Sequence, residues 1–128
     1  MITQQCTERW LLVGAIDTDG DGKWPKRMPY AGEFVSVGGT IATLGTGAGS
    51  SSDFQLRNET QAKDILSTVG AFEVDSATNL LEAAVVDPTT CSFAKDDVVD
   101  LDQDAHATND DAADAVIEAV VVYFMDDV

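Results

Sequence analysis

Apolar and polar positions alternate in the middle of the chain, from residue 53 to residue 104. Phe54 and Leu56 are flanked by polar residues, which is the pattern of a strand with one buried face. A turn at residues 58–60 leads into a second short strand at 62–66, and an acidic turn leads into a third at 98–102. This arrangement predicts the frame of an antiparallel β-sandwich.

The same reading predicts further strands on either side of this frame. Gly38 and Gly39 interrupt one long strand, where paired glycines predict a bulge or bend. Residues 80–86 fit a strand or a short helical turn equally well. The remaining predicted extended segments are residues 7–16, 23–30, 32–44, 71–74 and 115–124. About eight short strands, with almost no helical periodicity, predict an all-β antiparallel sandwich of jelly-roll-like type.

The last predicted strand, residues 115–124, is apolar on both faces. A strand of this kind is covered on both sides, so we expect the sandwich core on one side and a second copy of the protein on the other. The 128 residues suffice for one domain, which we place at residues 10–128 after an N-terminal arm at residues 1–9. No secretory signal and no membrane-spanning segment is predicted.

Charge narrows the range of partners. The chain has 23 acidic and 7 basic residues, a formal net charge of −16, and 17 of the acids are Asp. Such an excess repels nucleic acid and anionic membranes, so neither is expected as a partner. An Asp-rich, Lys-poor surface is typical of a protein that works in brine, where salt screens the repulsion. The alternative is an acidic surface of a protein from ordinary salt, with Ca²⁺ or Mg²⁺ nearby.

One candidate metal site follows the first strand. Asp17, Asp19 and Asp21, followed by Gly22, match the first half of a calcium-binding loop. The second half does not match, because the twelfth position is Met28 and not Glu. A hairpin tip is therefore the preferred interpretation of this segment, with Ca²⁺ as the alternative. No other cofactor is predicted.

The residues that catalysis requires are not grouped in this sequence. His106, the only histidine, is predicted in a polar loop with neither a nucleophile nor a metal site beside it. Asp96, Asp97 and the alternating acids of residues 100–104 resemble paired carboxylates, but a solvated acidic face is the preferred interpretation. Cys6 and Cys91 are 85 positions apart and are expected either as two free thiols or as one disulfide. The prediction is that the protein is not an enzyme.

The order of segments resembles a known class of viral proteins. A Gly/Thr loop at 45–49 precedes the strand Asp53–Arg57 with its turn at Asn58, and Phe72–Asp75 follows. The stretch Phe93–Gln103 then contains an acidic turn and an aliphatic strand. This order is similar to small β-sandwich virion proteins of tailed viruses, over about residues 32 to 125. Asn58-Glu59 stands where Asn-Gly is usual in that class, and Asp96-Asp97 where Gly-Asp is usual.

The resemblance implies a structural protein on the capsid surface of a virion, with no catalytic residues to carry over. The expected role is decoration or cementing of the head, or a turret, by binding the major capsid protein, and the host would be halophilic. Self-association is expected through the last strand and the arm at residues 1–9, as a trimer in preference to a pentamer. The alternatives are a tail, baseplate or fibre component, and a calcium-dependent carbohydrate-binding module that uses Trp10 and Trp24.

Overall fold

The computed structural model describes residues 2–16, 20, 24–46, 51–74, 76–105 and 112–125. These residues form strands and connections, and none of them is helical. The eleven strands of the described residues are β1 (Ile2–Ala15), β2 (Lys26–Arg27), β3 (Ala31–Thr43), β4 (Ser51–Asn58), β5 (Lys63–Asp64), β6 (Leu66–Thr68), β7 (Gly70–Glu73), β8 (Val85–Val86), β9 (Ser92–Phe93), β10 (Val98–Ala105) and β11 (Ala113–Met125).

The strands form two main sheets in which every pair is antiparallel. The four-stranded sheet has the order β1-β11-β3-β9. The five-stranded sheet has the order β2-β10-β4-β5, and β7 also pairs with β4. Strands β6 and β8 pair separately. The predicted class, an all-β antiparallel sandwich, is confirmed.

The strand order is that of a jelly roll. Strands β5 and β7 both lie along β4, so they count as one position, and the small β6–β8 pair lies outside the two sheets. Numbered along the chain, the eight remaining positions lie in the orders 1-8-3-6 and 2-7-4-5. This is the order produced when two Greek keys wind into a double sheet. The sequence-based expectation of about eight strands corresponds to these positions.

The core lies between the inner faces of the two sheets. Alternate residues of β11 are buried, among them Ile117 and Val121, and they belong to the same apolar cluster as Phe54 and Leu101 of the other sheet. Aromatic rings meet edge to face at one end of this core, with 5.1 Å between the ring centroids of Phe34 and Phe93 and 5.9 Å between those of Phe93 and Tyr123. These geometries are favourable for aromatic pairs.

Several strands differ in their bounds or irregularities from the predicted ones. The first strand begins at Ile2 and not at Thr7, so residues 2–9 of the predicted arm are part of β1 and pair with β11. Strand β3 passes through Gly38 and Gly39 without a register shift, and the bulge lies at Val35 instead. Gly39 has a different role, because a Cβ there would lie 2.5 Å from the carbonyl oxygen of Val116.

Candidate functional site

The predicted metal ligands Asp17, Asp19 and Asp21 lie outside the described residues, as does His106. Their described neighbours are tied to the sandwich: Gly20 and Gln103 exchange two backbone hydrogen bonds, of 2.9 and 3.1 Å. Among the residues that the structure describes, no group of three or more His, Cys, Asp or Glu side chains is placed to hold a metal ion. Calcium binding by the three aspartates therefore stays a prediction.

The two cysteines are free thiols in this structure, and both are half-buried. Cys6 lies in β1, in the four-stranded sheet. Cys91 lies in the turn before β9, where its Sγ donates to the carbonyl oxygen of Pro88 at 3.7 Å.

The acids of residues 96–104 form a solvated face only in part, because Asp96 and Asp104 are exposed but the prediction was wrong for the other three. Asp97, Asp100 and Asp102 are only 4%, 7% and 5% exposed. Strand β10 lies inside its sheet, where β4 pairs along most of its length and β2 pairs with Val98 and Val99. The three acids become buried only when the strands of this sheet pair.

Asp97 anchors the turn that precedes β10. Its Oδ2 accepts hydrogen bonds from Asn58 Nδ2 at 2.9 Å, Gln61 Nε2 at 2.6 Å and the backbone N–H of Ala94 at 2.9 Å. Burial alone would raise the pKa of Asp97, but these hydrogen bonds stabilise the charged form and hold the pKa below its ordinary value. The contacts give Asp97 a structural role, since they join the β4–β5 turn to the turn before β10.

Asp100 is in the opposite situation. Burial raises its pKa, and the charges of Glu59 and Asp102, together with a hydrogen bond to Glu59, raise it further. One of its carboxyl oxygens, Oδ1, is buried without a hydrogen-bond partner. Arg57, opposite Asp100 in register, makes its closest ion pair with Asp64 at 2.9 Å. The arrangement disfavours the charged form of Asp100.

Strand β1 carries few charges for a chain this acidic. Strand β1 carries one acid and one base, Glu8 and Arg9, in a chain with 23 acids and 7 bases. Glu8 points inward, where it accepts hydrogen bonds from Tyr123 Oη at 2.6 Å and Lys26 Nζ at 3.2 Å. Arg9 points outward and pairs with Glu118 of β11 at 3.1 Å. The charges of β1 are thus balanced within the fold.

The outer face of the four-stranded sheet, the face turned away from the core, is rich in apolar side chains. Leu11 and Val13 of β1 are 62% and 89% exposed, and Val35 of β3 is 53% exposed. Between them, β11 contributes half-buried residues, including Val116 and Val120. An exposed apolar face on a charged protein is typical of an interaction surface.

Strand β1 also has an open edge. We use this term for the side of β1 that faces away from β11. In the described part of the chain, β1 pairs with β11 on one side and with no strand on the other. The other outer strands of the two main sheets have two to four residues, whereas β1 has 14. It contains neither Pro nor Lys, the residues that commonly protect such edges.

The sequence pattern only partly revealed this surface. The two segments expected to make contacts, residues 1–9 and the last strand, do lie side by side, because Ile2 to Leu12 pair with β11 without interruption. The pattern did not show that β1 is long and unpaired on one side. The available signal was the small number of charges between residues 2 and 15, where Glu8 and Arg9 are the only charged side chains.

Comparisons with protein-family models, curated proteins and solved structures found no match to this chain. None of the described residues forms a helix long and apolar enough to cross a membrane.

Proposed function

We propose that the protein is a non-enzymatic structural component of a virion, which binds the major capsid protein and decorates or cements the head as a homo-oligomer. The observation that carries the proposal is the contrast between an acidic chain and strand β1, whose one acid and one base cancel. This strand presents an open edge and the exposed side chains of Leu11 and Val13, while the net charge of the chain is −16. A protein that coats a particle needs such a division between a contact surface and a solvated one.

The fold fits this role by analogy. Jelly rolls are frequent in capsid proteins and also in lectins, so the architecture alone does not choose between them. The similarity of segments 45–49, 53–58 and 93–103 to virion proteins of tailed viruses favours the first. The acidic surface would suit a virus of a halophilic host, because its repulsion is screened in strong salt.

The carbohydrate-binding alternative loses one of its two aromatic residues. Trp10 is 3% exposed and lies in the core, where the Nζ of Lys26 is 5.3 Å from the centroid of its ring. A ring in that position is not available to stack on a sugar. Trp24 is half-buried at the start of the β2 segment.

A tail, baseplate or fibre position would use the same contact surface as a head position.

Antibody labelling of virus particles tests the proposal and separates its two viral forms. Particles from a lysate that contains the protein would be incubated with a gold-conjugated antibody against it and imaged by negative stain. We expect gold on the head, in numbers that repeat from particle to particle. Gold confined to the tail would support the alternative position, and particles free of the protein would overturn the proposal. A particle with a labelled major capsid protein serves as the positive control.

A further inference from the structure

We propose that two copies of this chain join through the open edges of β1, antiparallel and about a twofold axis, so that the two four-stranded sheets become one continuous sheet. The inference rests on the self-association that is part of the proposed function, and it names the surface and the symmetry. It does not depend on binding to a capsid.

The open edge has the properties that strand pairing requires. From Ile2 to Leu12 the register of β1 against β11 is regular, and the first shift comes between Leu12 and Ala15. The regular part is 11 residues long, which corresponds to about 37 Å. An unprotected edge of this length presents a row of N–H and C=O groups that another strand can satisfy.

A second copy of the chain is the occupant that fits this edge. A twofold contact uses the same patch on both partners, so the long edge of β1 meets an equally long edge. Within the described residues, the other outer strands of the two main sheets offer no edge of comparable length. A threefold contact would have to place β1 against a different surface.

Charge also favours this mode of contact. Each copy carries −16, so most approaches between two copies are repulsive. Along β1 the single acid and the single base are already paired within the fold, Glu8 with Tyr123 and Lys26, and Arg9 with Glu118. Two β1 edges therefore meet without bringing unpaired like charges together.

The register follows from the regular stretch. Full overlap of Ile2–Leu12 with its symmetry copy places Thr7 on the axis, opposite Thr7 of the second copy. Registers centred on Glu8 or Arg9 would instead set two like charges directly opposite each other, which is unfavourable. Thr–Thr pairs are favourable across antiparallel strands.

The size of the contact sets the expected strength. A strand edge about 37 Å long and roughly 10 Å deep buries about 800 Å² over both copies, which is below the roughly 1,200 Å² of stable specific complexes and in the range of weak, transient ones. Backbone hydrogen bonds, about one for each residue pair, add to this burial. We therefore expect a weak dimer, with a Kd on the order of tens of micromolar in strong salt, that tightens as salt screens the net charge.

Sedimentation velocity in strong salt tests the inference with a matched pair of variants. Thr7, Val120 and Ser36 lie in one row across β1, β11 and β3. Thr7 and Ser36 are therefore on the same face of the sheet, but Thr7 lies at the open edge and Ser36 lies two strands away from it. Thr7→Glu sets two carboxylates together at the axis, whereas Ser36→Glu adds the same charge away from it. We expect the wild type and Ser36→Glu to form dimers with similar dissociation constants. For Thr7→Glu we expect a dissociation constant that is about tenfold or more higher. Circular dichroism establishes that both variants are folded.

Cysteine cross-linking tests the register independently of stability. In a chain with Cys6→Ser and Cys91→Ser, a Thr7→Cys variant places two thiols across the axis with Cα atoms about 4.5 to 5.5 Å apart, within reach of a disulfide. Mild oxidation should give a covalent dimer for Thr7→Cys and much less for Arg9→Cys or Ser36→Cys. A wild-type chain that is monomeric at about 1 mM, or that forms a trimer, overturns the inference. A Thr7→Glu variant that dimerises like the wild type would also overturn the inference. None of these results bears on capsid binding.

Discussion

Asp97 and Asp100 are three residues apart, yet their carboxyl groups should have opposite effects on stability. Asp97 accepts three hydrogen bonds through one oxygen, whereas Asp100 has a buried oxygen without a partner and lies near Glu59 and Asp102. The difference arises from the donors that each position faces. Asn58, Gln61 and the N–H of Ala94 stabilise a negative charge at Asp97, and nearby acids destabilise one at Asp100.

Replacing Asp97 with Asn should destabilise the protein at neutral pH. The loss should be about 1–3 kcal/mol in the free energy of unfolding, because hydrogen bonds to a charged acceptor are lost or weakened. The pKa of Asp97 is below its ordinary 3.8, so the stabilisation is complete above pH 3.8 and is lost as pH falls through the lowered pKa. Denaturant unfolding at pH 7 and pH 3 measures this. A loss that is equal at both pH values would contradict a role for the charge.

Replacing Asp100 with Asn should have the opposite sign. Its pKa is above 3.8, so the charged form opposes folding once pH exceeds the raised value, and the opposition is absent below pH 3.8. Asp100→Asn should therefore raise the free energy of unfolding at pH 7, by less than about 1 kcal/mol, and should raise Tm accordingly. The gain should disappear toward pH 3. Thermal melts of the two variants side by side serve as mutual controls, and a lower Tm for Asp100→Asn at pH 7 would contradict the argument.

At the scale of the elements, the neighbouring glycines of β3 differ in their surroundings. A Cβ on Gly39 would lie 2.5 Å from the carbonyl oxygen of Val116, whereas a Cβ on Gly38 would meet nothing within 4 Å. Gly39 is therefore required where β3 and β11 come close together. Gly38 has no such requirement.

Gly39→Ala should cost about 1–3 kcal/mol of unfolding free energy, since the backbone of two paired strands must separate. Gly38→Ala should be neutral or stabilising by about 0.4–1 kcal/mol, because Ala restricts the unfolded chain more than Gly does. Guanidinium unfolding of both variants gives the comparison. Equal losses for the two would show that β3 does not tolerate any side chain in this stretch.

Sequence patterns predicted the strands in which apolar and polar side chains alternate. They did not predict the strand segments that are held in place by backbone hydrogen bonds to a neighbouring strand. Phe54, Leu56 and Leu101 lie in strands that were predicted correctly. Residues 3–5 are Thr-Gln-Gln and carry no apolar alternation, so the start of β1 depends on its hydrogen bonds to β11. The burial of Asp100 was equally invisible, because it depends on which strands become neighbours. The candidate surface was predicted in its segments but not in its geometry.

For the whole molecule, the dominant quantity is a net charge of −16 over 128 residues. Of the described acids, Asp97, Asp100 and Asp102 are buried and the others are half-buried or exposed, so the repulsion among the described acids acts mainly at the surface. Such repulsion opposes the compact state and depends on salt.

The melting temperature should rise by several degrees as NaCl increases from 0.1 to 1 M, and more slowly beyond. The Debye length shortens from about 10 Å to about 3 Å over the first interval, so most of the screening happens there. Thermal melts across this range measure the effect, and a series in sucrose at low ionic strength serves as the control for solvent exclusion. A Tm that does not change below 1 M would mean that the charges are compensated in the fold.

The pairing of Ile2 with Met125 has a mechanical consequence. Because β1 and β11 are antiparallel neighbours, both ends of the described chain leave the sheet at the same corner. Tension applied between these two points would peel β1 from β11 one hydrogen bond at a time, starting at Ile2, and would not load all the bonds together in shear. The molecule should therefore yield to a small force pulled in this direction and resist far better when it is pulled across the sandwich.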